Sequence, residues 1–234
     1  LTYTILNTGS GGLALTGGSA VLNATSVDFN VVSGSNSHGG GIWNNGGVLT
    51  VLGSSIVRNQ ANHATSKGGG IYSDTNLGAQ STTIINSTVS GNSAASRGGG
   101  VFNADGRVDI KHSTITNNST TTTGAGSGVA SFGNVATTLT SVSNSIIAGN
   151  VGAAGGTRTD LDFVDGGGNS FQSLGYNVIG AGNGLSKFDQ PGDETGILNP
   201  GLAPLANNGV PGGVTFEMLT HALLLGSVAI DAGD

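Results

Sequence analysis

The sequence predicts an all-β fold: a right-handed parallel β-helix, a three-sheet solenoid with a loop-rich carboxy-terminal cap. Three observations predict it. A unit of 28 to 30 residues recurs five times. Each unit carries three aliphatic positions that align as columns. Around them apolar and polar residues alternate, as in Val48-Leu49-Thr50-Val51 and Asp109-Ile110-Lys111, which is the period of a strand and not of a helix. A unit this short cannot bury its apolar face alone, so neighbours must stack and pair their backbones.

The first element of each unit follows a glycine-rich turn. Gly39-Gly40-Gly41-Ile42, Gly68-Gly69-Gly70-Ile71 and Gly98-Gly99-Gly100-Val101 are the strong copies; Ser10-Gly11-Gly12-Leu13 and Gly126-Ser127-Gly128-Val129 are the weaker ones. They set a first aliphatic row of Leu13, Ile42, Ile71, Val101 and Val129. The second row is Leu22, Val51, Ile84, Ile110 and Val142, and the third is Val27, Ile56, Val89, Ile115 and Ile147. Each unit closes on Asn: Asn30, Asn59, Asn92, Asn118 and Asn150. The glycines are expected where the coil turns with φ > 0 and packs too tightly for side chains. The Asn column is expected to take the left-handed conformation and to bond from rung to rung as an amide ladder. Four extra residues in the third and fifth units, Leu77 to Gln80 and around Gly133 to Ala136, read as loops at one corner.

Residues 1–150 form the five rungs and contain no Pro; residues 151–234 hold irregular final rungs and the cap of the same domain. Phe171 to Gly180 reads as one or two more strands. A solenoid end exposes a core cross-section, and Leu219, Leu223, Leu224, Val228 and Ile230 are expected to plug it. The amino end has no initiator Met and no signal-peptide pattern, so the chain reads as a piece of something longer. Leu1 to Leu6 is strand-like, and the rung end it leaves is expected either to be covered by a preceding segment of a longer chain or to associate end to end with other copies.

Composition excludes several classes. Forty-four glycines without a period of three, and only 4 Pro, exclude collagen. An apolar fraction of 36% argues against disorder. A net charge of −6 has the wrong sign for nucleic acid. With no Cys there are no disulfides or thiolate sites, and no apolar run is long enough to span a membrane.

Candidate chemistry is sparse. Asp160, Asp162 and Asp165 alternate in a Gly-rich stretch and are the weak candidates for Ca²⁺; no other cofactor is expected. His38, His63, His112 and His221 lack metal spacing and read as surface residues. Trp43, the single Trp, is expected to face outward beside Ile42, as a rim aromatic or a sugar platform. A glycosidase needs two carboxylates about 5–10 Å apart. No Asp/Glu column shared by neighbouring rungs is found within residues 1–150, so no catalytic residue is expected. Asn23, Asn86 and Asn118 match the glycosylation pattern, which a Ser/Thr-rich repeat produces by composition. Ice binding would need Thr-x-Thr on every rung, and only Thr114/Thr116 supplies it beside the third row.

Gly98-Gly99-Gly100-Val101-Phe102-Asn103 and Ser87-Thr88-Val89-Ser90-Gly91-Asn92-Ser93 resemble the repeats of bacterial right-handed parallel β-helix surface proteins, including polymorphic outer-membrane-protein-like repeats. Leu202 to Gly209, Thr220 to Leu224 and Gly226 to Asp234 resemble the carboxy-terminal segment of the choice-of-anchor Q type. Leu225 and Val228 stand where that ending usually has Pro. The resemblance implies an extracellular or cell-surface location and no assigned enzyme activity. The expected function is therefore a non-enzymatic structural or adhesive module (an adhesin), with a cell-surface or polysaccharide ligand. The alternative is a carbohydrate-binding or polysaccharide-cleaving β-helix.

Overall fold

The computed structural model describes residues 11–75, 81–122, 126–133, 138–152, 159–163, 170–208 and 218–234. It is a parallel β-solenoid of three sheets. The first sheet stacks Leu13–Leu15, Ile42–Asn45, Ile71–Asp74, Val101–Asp105, Val129–Ser131 and Leu161–Phe163. The second stacks Ser19–Asn23, Val48–Leu52, Ser81–Ile85, Arg107–Lys111, Leu139–Ser143 and Ser170–Ser173. The third runs from Ser26–Asp28 through Ser55–Val57, Thr88–Ser90, Thr114–Thr116, Ile146–Ile147 and Val178–Ile179 to Glu194–Thr195. A short fourth ladder pairs Val31–Val32, Gln60–Ala61, Ser93–Ala94 and Ser119–Thr120. Five repeat turns are thus followed by one more strand in the first and second sheets and by two in the third.

The register joins like to like. Leu13, Ile42, Ile71, Val101 and Val129 are successive Cα partners. So are Leu22, Val51, Ile84, Ile110 and Val142, and Val27, Ile56, Val89, Ile115 and Ile147. Ile84, Ile110 and Ile115 are fully buried within one continuous core. A one-residue slip would turn every one of them to water, so burial fixes the register.

Two polar ladders line the corners. In the first, Asn30 Nδ2 donates to Asn59 Oδ1 at 2.9 Å, and the same bond repeats from Asn59 to Asn92, Asn118 and Asn150. Asp160 ends this ladder, its Oδ1 accepting from the backbone and the side chain of Asn150 at 2.7 and 2.8 Å. The second ladder is made of hydroxyls: Ser54, Ser87, Ser113 and Ser145 each accept a backbone N–H from the rung before, at 3.0 to 3.2 Å. Asn177 continues it, and Asp193 closes it by accepting both nitrogens of Asn177 on Oδ1. In the first ladder the backbone N–H of Asn30, Asn59, Asn92 and Asn118 also donates to the next Asn Oδ1, so both ladders satisfy corner N–H groups that no strand pairs.

Two expectations about corners change. The left-handed residues are those one position before the Asn column: Phe29, Arg58, Gly91, Asn117 and Gly149. The Asn side chain holds the neighbouring rung while its predecessor makes the bend. In the glycine triplets only the first residue has positive φ, 62 to 67° at Gly39, Gly68 and Gly98. The second and third lack side chains for space: a Cβ on Gly40 would lie 2.4 Å from Gly69 O.

The carboxy-terminal expectation fails. Leu223, Leu224, Val228 and Ile230 are exposed and plug nothing, while Leu219 alone of the five is buried. The last stretch instead runs over the outside of the third sheet, where Ser90 bonds His221 and the Asp234 N–H donates to Asn144. At the carboxy-terminal end of the core, Phe188 packs on Phe171 and Leu161, beside the 3₁₀ turn Leu185–Lys187. Phe188 is large and apolar and directly follows the 3₁₀ turn that contacts the last strand of the second sheet, so it reaches the core where the distant tail does not. The corner loop 77–80, most of that around 133–136, and Leu1 to Leu6 lie outside the described residues. Among the described residues no helix is long and apolar enough to cross a membrane.

Candidate functional site

Chemically distinctive residues gather on the outer face of the first sheet. Because Ile42, Ile71 and Val101 point inward, the next residue of each strand points out. Register places Ala14, Trp43, Tyr72, Phe102, Ala130 and Asp162 in one column. Over this column fold the residues that precede the glycine turns. The His38 ring stacks on Tyr72 at 4.6 Å and 9°. Lys67 Nζ lies 5.0 Å from the Phe102 centroid and 5.5 Å from that of Phe132. Arg97 lies 5.3 Å from Phe132 and pairs with Asp162 at 2.5 Å. Each basic side chain thus covers an aromatic ring of the next rung, a cation–π arrangement where the charge is on.

The face is half dry, and its ionisation follows. Burial, reinforced by Lys67, lowers His38 to about 4, so the ring is neutral near pH 7. Burial and then Arg97 lower Lys67. Burial pushes the Asp162 carboxyl up, against the pull of Arg97 and of an Asn183 hydrogen bond.

A second feature corrects the sequence reading. A β-bulge between Asn103 and Asp105 shifts the register, and Asp74 and Asp105 become Cα partners on adjacent rungs. Two carboxylates in neighbouring rungs do therefore share a column. Asp74 sits three residues after Ile71 but Asp105 four after Val101, so a gap-free alignment separates them. Asp105 Oδ1 accepts from the Gly106 N–H at 2.7 Å and from the Thr138 hydroxyl at 3.1 Å. The Tyr72 hydroxyl donates to Asp74 Oδ2 at 3.4 Å. Burial and then the Asp105 charge raise Asp74, with the Tyr72 bond working against them; burial and then Asp74 raise Tyr72. A carboxylate pair of unequal environments is an acid–base or cation-holding arrangement.

The Ca²⁺ candidates are not brought together by the described residues. Asp160 faces inward on the Asn ladder, its Oδ2 accepting the Ala181 N–H at 2.7 Å. Asp162 faces outward toward Arg97 and Asn183, and Asp165 lies outside the described residues. The alternating spacing that suggested a shared ligand set is what sends the first two to opposite faces of a strand. Among the described residues no group of three His, Asp or Glu could hold a metal ion. His112 is exposed, whereas His38 and His221 are partly buried rather than simple surface residues. Asn118 is fully buried in its ladder and closed to glycosylation, while Asn23 and Asn86 are exposed.

Ser90 and His221 look at first like a nucleophile and base. His221 Nδ1 donates to Ala203 O at 2.7 Å, which leaves Nε2 to accept the Ser90 hydroxyl at 2.8 Å. Ser90 is only 1% exposed, and the adjoining cavity of about 260 Å³ is lined by His221 and not by Ser90. The pair pins the tail to the third sheet. A wider groove of about 820 Å³ lies near the carboxy-terminal end between Leu139, Gln172, Lys187 and Asp189.

The described geometry defines a parallel β-solenoid with one aromatic, charged outer face. No protein-family model matches the chain, no curated protein matches it, and no solved structure does.

The aromatic and basic columns were legible in the repeat. One residue after the first aliphatic row come Trp43, Tyr72 and Phe102; four residues before it come Gly9, His38, Lys67 and Arg97. An alignment extended outward from the aliphatic rows displays both.

Proposed function

We propose that this chain is a non-enzymatic, extracellular structural and adhesive β-solenoid module of a bacterial surface protein, of the kind with polymorphic outer-membrane-protein-like repeats and a choice-of-anchor Q type ending. One observation carries the reading: outside the Asp74–Asp105 pair, the described arginines and the carboxylates they face are committed to structural partners. Arg58, Arg97 and Arg107 each bind a carboxylate, Asp28, Asp162 and Asp109. Asp160 and Asp193 close the two corner ladders. The backbone is tied rung to rung along the described asparagine and serine corners, which suits a rigid spacer that carries a contact face.

The alternative reading, a carbohydrate-binding or polysaccharide-cleaving β-helix, is favoured by Asp74 and Asp105 in register beside aromatic rings. One assay separates the two. The protein is incubated with insoluble polysaccharides, and both retention and release of soluble sugar are measured. Retention without release supports an adhesive module, and release that disappears in Asp74→Asn supports cleavage. End-to-end assembly belongs to the same proposal: filaments of concentrated protein in negative stain support it, and monodisperse particles remove it.

A further inference from the structure

We propose that Trp43, with the Asp74–Asp105 carboxylates beside it, forms a binding site for a glycan that carries free amino groups. The inference rests on the adhesive reading above and names the ligand class.

The outer ladder follows one rule: the residue four before each inward aliphatic covers an aromatic ring of the next rung. His38 covers Tyr72, Lys67 covers Phe102, and Arg97 covers Phe132. Applied to Trp43, the rule points to position 9, which is Gly and has no side chain to offer. Among the described residues no ring or cation stacks on Trp43, which is half-buried. Tyr72 shows what such a face accepts, a flat ring lying parallel at 4.6 Å. The CH face of a pyranose has comparable size, and an ammonium on it gains from the indole quadrupole.

Charge selects the amine. Trp43 and Tyr72 are register partners, and Asp74 lies two residues beyond Tyr72 on the same outward face. That makes Trp43 and Asp74 diagonal neighbours, within reach of one ligand ring. The described ion pairs use Asp28, Asp109 and Asp162, leaving Asp74 and Asp105 without a cation among the described residues. The corner segments 76–80 and 134–137 contain no Lys or Arg. The partly exposed Asp74, backed by the buried Asp105 carboxylate and with no cation on either among the described residues, favours a bound ammonium, whereas a sulfated or uronic-acid glycan would meet like charge. Asn45, the register partner of Asp74, adds an amide for sugar hydroxyls.

Trp43 is the only tryptophan, so its fluorescence reports this site alone. Titration of the full chain at pH 6 with glucosamine oligosaccharides is expected to shift its emission with saturation. N-acetylated oligosaccharides of equal length, read by the same signal, are expected to bind at least tenfold more weakly. Calorimetry is expected to show a tenfold or greater loss of affinity in Trp43→Ala and Asp74→Asn, with circular dichroism unchanged. Unaltered emission, equal affinity for the acetylated oligosaccharide, or full affinity in Asp74→Asn overturns the proposal. A lysine peptide bound as tightly as the amino sugar also overturns it, because the site would then recognise protein. Retention of the chain on other polysaccharides with Trp43 unaffected overturns the site and leaves the adhesive reading standing; the absence of both retention and assembly overturns that reading as well.

Discussion

Asp160 uses both oxygens on buried N–H groups, two from Asn150 and one from Ala181. In Asp160→Asn one oxygen becomes an amide donor and faces another donor whichever way it turns. An unpaired buried donor costs about 1–3 kcal/mol, so urea denaturation is expected to show a loss of that size, with the slope unchanged. Ile110 lies between Ile84 and Val142 with no exposed surface. Ile110→Asp places a charge there with no partner, and a loss of more than about 4 kcal/mol is expected; a melting temperature near that of the parent would show that the column is not the core. His38 sets a pH dependence. Burial and Lys67 hold its folded value at about 4, below the ordinary 6.5. Between these values the unfolded chain binds a proton that the folded chain refuses. The stability due to neutral His38 is complete above about pH 6.5 and is lost as pH falls toward about 4. Asp74 and Asp162 are raised and act in the opposite sense, so the contribution is isolated by comparison with His38→Phe. That variant keeps the ring stack, and its denaturation midpoint is expected to fall less between pH 7 and pH 4.5.

Within one rung, the glycine turn and the asparagine corner solve different problems. A Cβ at Gly69 would lie 2.3 Å from Ser93 O and 2.4 Å from Gly99 O, both backbone atoms of the next rung. Neither can move without breaking the stack. Gly53 has φ 51° and no atom within 4 Å of its would-be Cβ, and its column also holds Ala24, Asn86, His112 and Asn144 at similar φ. Gly53→Ala is therefore expected to cost about 1–2 kcal/mol at most, and Gly69→Ala to unfold the chain or cost more than about 4 kcal/mol. Thermal melts of the two variants side by side check the contrast. Similar melting would mean that φ, and not stacking space, selects glycine at both positions.

Over the whole solenoid, the carboxy-terminal end of the core depends on Phe188 and not on the tail. Phe188 is 4% exposed and meets the Phe171 ring at 6.0 Å. Phe188→Ala is expected to cost about 3–5 kcal/mol by the usual range for a buried aromatic. Removal of residues 222–234 takes away the Ser227 and Asp234 bonds and mostly exposed side chains, so a smaller loss of melting temperature is expected. Deletion as damaging as Phe188→Ala would restore the tail to the role of a plug.

The sequence by itself determined the repeat, the three inward rows and the amide ladder, because each depends on identical residues meeting across a constant rung spacing. Ile42, Val51 and Ile56 needed only their columns to be placed inside. Tertiary structure decided what breaks that periodicity. The bulge at Asn103/Asp105 moved one carboxylate beside another. The hydroxyl ladder hid in a Ser/Thr-rich background where one more serine carries no signal. The tail's path over the third sheet depends on contacts between residues far apart in the chain, such as Ser90 and His221. Local pattern records what a residue requires of its neighbours in the repeat; long-range packing chooses among surfaces that look alike in one dimension.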